Sequence, residues 1–222
     1  MYRNIIMVLV FIIFLPIQCV SDNDEWARLN ELLDIFDEQI DRLDDRGCPE
    51  FIIDRLCSMK FKVVDRACNM SIRRGNIPFL PVIPDSWLSY ARQMEMVTKD
   101  GATGTILLDT SNIENWDTVP PEPYYIFDVN DGWEFKGTVP SMAEVLIKKN
   151  LREPLFTEEL ISLCIHSNVL SRHNVDALRS RVGKSGVPSI IMKKEIPVLD
   201  WCYIDTLSPN CGFPHSRNLR IK

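Results

Sequence analysis

The sequence predicts an α+β fold, a mainly antiparallel sheet with helices on one side, preceded by an N-terminal helix pair. Three observations carry this prediction. Apolar residues over positions 26–43 recur at alternating steps of three and four, the period of one helix face. Pro78, Pro81 and Pro84 then end the helical texture, because proline lacks the backbone donor and pushes the residue before it into extended backbone. Downstream, short runs suited to strands interleave irregularly with helix-start signals, rather than in the strict alternation that builds a parallel sheet.

The first mature helix is predicted over residues 25–43. Trp26, Leu29, Leu33, Phe36, Ile40 and Leu43 form its stripe, Leu32 and Ile35 widen it, and acids such as Asp34, Asp37 and Asp41 occupy the other faces. A stripe this short and wide suits packing onto the same chain better than an intermolecular coil. Gly47 and Pro49 end it, and Ile52, Ile53, Leu56, Met59, Val63 and Val64 predict a second helix over residues 51–68. The boundary between a helical region (22–75) and an α+β domain (76–222) falls after Gly75, at the prolines. Asp85 is placed to cap a short helix through Met94, and Lys99-Asp100-Gly101 is a tight-turn signal between strands over 94–97 and 102–109. A strand is predicted over 124–129. Ser141 with Glu144 reads as a capping box for a helix through Lys149, and Thr157-Glu158-Glu159 starts another through Val169. Two late strands, 189–193 and 198–204, are joined by a polar turn.

Ahead of these elements lies a leader. Arg3 precedes an unbroken apolar run from Ile5 to Leu15, and Pro16 breaks it before the polar stretch that begins at Ser21. A helix of this length covers only about half of the ~30 Å hydrocarbon layer, so the reading is a signal peptide over residues 1–21, cleaved after Ser21, with a retained N-terminal membrane anchor as the alternative. Removal of the leader takes away Arg3 and Cys19, which leaves 24 basic against 31 acidic residues. Such a balance excludes a general polyanion binder and hence nucleic acid as the partner. Six cysteines remain, an even number that suits disulfides in an oxidising compartment. Asn69-Met70-Ser71 is a formal glycosylation acceptor.

No catalytic constellation stands out. Cys164 and His166 are close in sequence, but on a helix their side chains diverge by about 200°, so a buried cysteine and a surface histidine are expected. Neither a Cys-x-x-Cys pair nor a His-Glu-x-x-His helix offers a zinc site. Asp128-Val129-Asn130-Asp131-Gly132 resembles the opening of a calcium loop, but the glycine comes one residue early and Val139 stands where a carboxylate should close it, so a turn leaving a strand is expected. Cys202 and Cys211, nine residues apart across a turn, are the expected disulfide, a staple for the C-terminal loop, with a thiol and aromatic pocket for a ligand as the alternative.

Several of these segments, taken in order, resemble a family of uncharacterised bacterial proteins known only as a domain of unknown function. The carriers are Pro78-Phe79-Leu80-Pro81-Val82-Ile83-Pro84 with Gln93-Met94 after it, Pro123-Tyr124-Tyr125-Ile126-Phe127-Asp128-Val129 ahead of Gly132, Leu155-Phe156-Thr157-Glu158-Glu159, and Trp201-Cys202-Tyr203 ahead of Cys211-Gly212. The resemblance runs over about residues 77–217 and leaves the N-terminal helices out; it implies one continuous domain and no known reaction. The expected function is therefore binding or structural, in a secreted or envelope-side domain with no evident catalytic site and no cofactor. The alternative is a hydrolase whose pocket is assembled from distant segments, with Asp128, His166 and Cys202 as candidates. A protein or small molecule is the expected partner, the membrane is met only through the leader, and residues 25–68 offer a surface for self-association.

Overall fold

The structure, a computed structural model, describes residues 22–222. The expected signal peptide or anchor, residues 1–21, lies outside the described residues. In chain order the elements are α1 (Asp22–Asp45), α2 (Glu50–Cys57), α3 (Lys60–Cys68), β1 (Ile77–Val82), α4 (Tyr90–Met96), β2 (Thr98–Lys99), β3 (Ala102–Thr103), β4 (Thr105–Ile106), β5 (Ile113–Asn115), β6 (Tyr124–Asn130), α5 (Pro140–Lys149), β7 (Glu153–Pro154), α6 (Thr157–His166), β8 (Asn174–Asp176), β9 (Ser180–Val182), β10 (Gly186–Lys193), β11 (Ile196–Tyr203), β12 (Cys211–Gly212) and β13 (His215–Ile221). Among the described residues no helix is long and apolar enough to cross a membrane.

The α+β class is observed, and most strand pairs are antiparallel, but the strands form two principal sheets rather than one. The first has the order β1-β6-β13-β7 and is antiparallel throughout. In the second, β12-β8-β10-β11-β4, the β11–β4 and β12–β8 pairs are parallel, and β9 joins β10 and β5 along a branch. The prolines of β1 are tolerated because β1 is an edge strand. The turn at Asp100-Gly101 is present with both residues at positive φ, 49° and 84°, which a two-residue hairpin requires. Its strands, β2 and β3, are only two residues each; after Gly104 the chain leaves to pair with β11 instead.

The second predicted helix is two. Ser58 turns its hydroxyl back onto the Arg55 carbonyl at 2.6 Å, a local bond that competes with helix continuation, and α3 restarts after Met59. The capping box at Ser141 does not form. Pro140 opens α5 from Val139, and Glu144 instead bonds Arg181 at 2.7 Å and Lys148 at 2.7 Å.

The helices position the core. Leu32, Phe36 and Leu43 of α1 belong to the same buried cluster as Phe79 of β1 and Tyr125 of β6. Phe36 stacks on Tyr125 at 5.5 Å between centroids, and Gln39 donates from Nε2 to the Phe79 carbonyl at 2.8 Å. Helix α6 packs against β1 of one sheet and β10 of the other. Nine of its ten residues are buried, as expected of a helix enclosed on nearly all sides.

Candidate functional site

Asp128 sits in β6 at a φ of +54°, the left-handed region, where the pairing with β13 shifts register between His215 and Arg217. Its carboxylate is fully buried. It accepts from the Arg73 backbone N–H at 3.0 Å and from Asn76 Nδ2 at 2.8 Å, and it is paired with the Arg152 guanidinium, which also reaches the Asp128 carbonyl. Burial raises its pKa, but the bonds from Arg73, Arg152 and Asn76 more than offset this, so it lies below its ordinary value. Asp128 is thus a knot joining the α3–β1 loop, β6 and the α5–β7 loop, with its acceptors occupied. The following turn is built from Asx bonds: Asn130 Oδ1 accepts from Gly132 N at 2.8 Å, and Asp131 Oδ1 from Trp133 N at 3.0 Å. A side chain at Gly132 would lie 2.3 Å from the Phe213 backbone, so close approach and positive φ both call for glycine.

The expected Cys202–Cys211 disulfide is absent; all six described cysteines are free thiols. Both sulfurs instead approach one carboxylate, Cys211 Sγ at 2.8 Å from Asp176 Oδ1 and Cys202 Sγ at 3.3 Å from Oδ2. The sheet order explains this: β12 and β11 are separated by β8 and β10. The carboxylate of Asp176, on the intervening β8, stands between the two thiols. Burial, then the adjacent Asp176, pushes both thiols up, so neither supplies thiolate at neutral pH.

His166 corrects the expectation of a surface histidine. Cys164 is buried as expected, but the His166 ring has both nitrogens shielded from solvent and without a hydrogen-bond partner. Burial first, and then Arg42 and Arg46, hold its pKa down to about 3. The ring lines two adjoining cavities of about 570 Å³ and 340 Å³, which share it with Arg42 and together make a cleft between α1 and the C-terminal end of α6. Arg46 donates from Nη1 to the Met96 carbonyl at 2.6 Å and to the Ile165 carbonyl at 2.9 Å.

No hydrogen bond or ion pair joins any two of Asp128, His166 and Cys202, so the structure does not assemble them as one catalytic set. Asn69 is exposed at the end of α3, with Nδ2 turned back to the Asp65 carbonyl at 2.9 Å. Among the described residues no group of three or more carboxylate, imidazole or thiol side chains is arranged to hold a metal ion. Sequence reasoning missed Arg42, Arg46 and Asp176. For the arginines a signal existed: two cations four residues apart close an otherwise acidic segment.

Residues 51–208 match the family described as a family of unknown function (DUF5701). The match starts inside α2, so α2 and α3 fall within it although the sequence resemblance had left the N-terminal helices out. No curated protein and no solved structure matches the chain.

Proposed function

Since the chain belongs to this family of unknown function, we propose from its own geometry that it is a binding domain, secreted or envelope-side, that works through the cleft between α1 and the end of α6. One observation supports this above others. The acid and the thiol that the sequence offers for chemistry are consumed in separate closed contacts, Asp128 with Arg152 and Cys202 with Asp176, whereas the open cleft is lined by arginine and a neutral imidazole. Arginine is permanently charged and binds without titrating, which suits holding a ligand better than moving protons. The extracytoplasmic setting rests on the leader, whose apolar run is too short to span a bilayer.

Two measurements test the reading. The mature chain, offered esters, amides, glycosides and phosphoesters, is expected to turn over none; turnover lost in His166→Ala or Cys202→Ala would establish an enzyme instead. The intact mass of the native protein is expected to start at Asp22 and to show six alkylatable thiols. A native chain found in the cytosol with Met1 retained would remove the proposed location.

A further inference from the structure

We propose that the ligand of this cleft is a phosphate-type oxyanion, received by Arg42, Arg46 and His166; the inference rests on the binding reading above and adds the chemical class. Three groups that are cations, or become cations, converge here. Arg42 in the last turn of α1 and Arg46 just past its end are like charges close enough to repel, and burial first, then Arg42, lowers the Arg46 pKa. Among the described residues Arg42 makes no ion pair and no side-chain hydrogen bond, and Arg46 bonds only through Nη1. Lys99 and Asp100, both on the wall of the same cavity, pair with each other at 2.7 Å. Glu31 and Glu38 line the neighbouring cavity without a bridge to Arg42.

A structural role accounts for part of this arrangement. Arg46 satisfies the last carbonyls of α4 and α6, as a basic side chain at a helix C-terminus does. It accounts for neither the unpaired Arg42 nor the imidazole, whose two shielded nitrogens forgo hydrogen bonds that a buried polar atom ordinarily makes. An oxyanion settling between the guanidiniums removes their repulsion and, once the His166 ring turns a nitrogen into the cavity, draws a proton onto it and gives that N–H an acceptor. Donors arriving from two guanidiniums and an imidazole match the three terminal oxygens and double charge of a phosphate. A monocarboxylate has two coplanar oxygens and neutralises one guanidinium. At about 570 Å³, the larger cavity is in the range of small-molecule sites, so the phosphate is expected to carry an organic group.

The test is calorimetric titration of the mature chain with inorganic phosphate, glycerol 3-phosphate and acetate, beside flotation with phosphatidylcholine vesicles containing or lacking phosphatidic acid. Glycerol 3-phosphate is expected to bind more tightly than acetate, Arg42→Ala to weaken it by about tenfold or more, and the His166 ring resonance to move toward its protonated position on saturation. Flotation with phosphatidic acid alone, lost in Arg42→Ala, assigns the phosphate to a lipid headgroup and supports the same site. Acetate binding as tightly as the phosphates, or phosphate affinity unchanged in both Arg42→Ala and His166→Gln with the near-ultraviolet dichroism intact, would overturn the inference. That failure, with no turnover seen, leaves the binding reading standing; turnover of a substrate ends that reading and leaves the phosphate affinities as measured.

Discussion

Asp128 was visible in the sequence as an acid inside an apolar run, Tyr124-Tyr125-Ile126-Phe127-Asp128-Val129, and the residue types alone allowed either a catalytic carboxylate or a buried ion pair. The partner decides, and the partner is Arg152, 24 positions away, which no local pattern connects to β6. Both side chains are essentially inaccessible, at 0% and 3%, so removing one leaves a desolvated charge unpaired. Arg152→Ala is expected to cost about 3–5 kcal/mol of folding stability. Asp128→Asn in that background is expected to recover part of the loss, because the amide keeps an acceptor for Arg73 N and carries no charge. Urea unfolding of the two single variants and the double variant closes the cycle; losses that simply add would show that the pair does not act as a unit. The cysteines teach the same lesson in reverse. Nine residues of separation made Cys202 and Cys211 look joinable, and the sheet order, a non-local property, keeps them apart.

Elements with a long period were legible and short ones were not. The stripe of α1, the apolar run of β6 and the β10–β11 hairpin, whose turn at Lys194-Glu195 has positive φ at both residues, all follow from local pattern. Strands β7, β8, β9 and β12 have two or three residues, too few for an alternation to register, and exist because longer neighbours offer them an edge. Helix α6 was read from its acidic first turn, and that turn holds the second prediction. Glu158 is buried, accepts from the Tyr90 hydroxyl at 2.9 Å and has Oε2 without a partner. Burial raises its pKa from 4.5 to about 7. The folded protein therefore keeps a proton that the unfolded chain releases, so this contribution is complete below pH 4.5 and lost as the pH rises to about 7. Glu158→Gln never carries the charge. Relative to the parent protein it is expected to gain on the order of 3 kcal/mol between pH 4 and pH 8, read from urea unfolding at both pH values. A difference independent of pH would contradict a neutral Glu158. His166 acts in the opposite sense, its contribution being lost as the pH falls from 6.5 toward about 3.

Over the whole molecule, the proline-marked boundary at residue 75 separates two textures of sequence, yet one buried cluster crosses it, running from Leu32 in α1 through Phe79 and Tyr125 to Ile221 in β13. The helices cover one face of the first sheet: without α1, Phe79 and Tyr125 lose Phe36, and the Phe79 carbonyl loses Gln39. The helical region read as a surface for self-association divides its apolar residues: Leu32, Phe36 and Leu43 are each at most 4% exposed and pack inside the chain, whereas Trp26, Phe51 and Phe61 face outward. Removing an aromatic contact of this kind costs about 3–5 kcal/mol, and ordinary domains are stable by only about 5–15 kcal/mol, so losing three helices at once exceeds what the remainder can absorb. A chain beginning at Asn76 is accordingly expected to expose the apolar face of β1 and β6 and to lack a cooperative urea transition and dispersed amide resonances. A chain beginning at Asp22 is expected to show both and to run as a monomer in light scattering. If the shorter chain unfolds cooperatively as a monomer, the helices are an appendage, the sheets hold together without them, and the cleft at Arg42 is an interface between two independently folding parts.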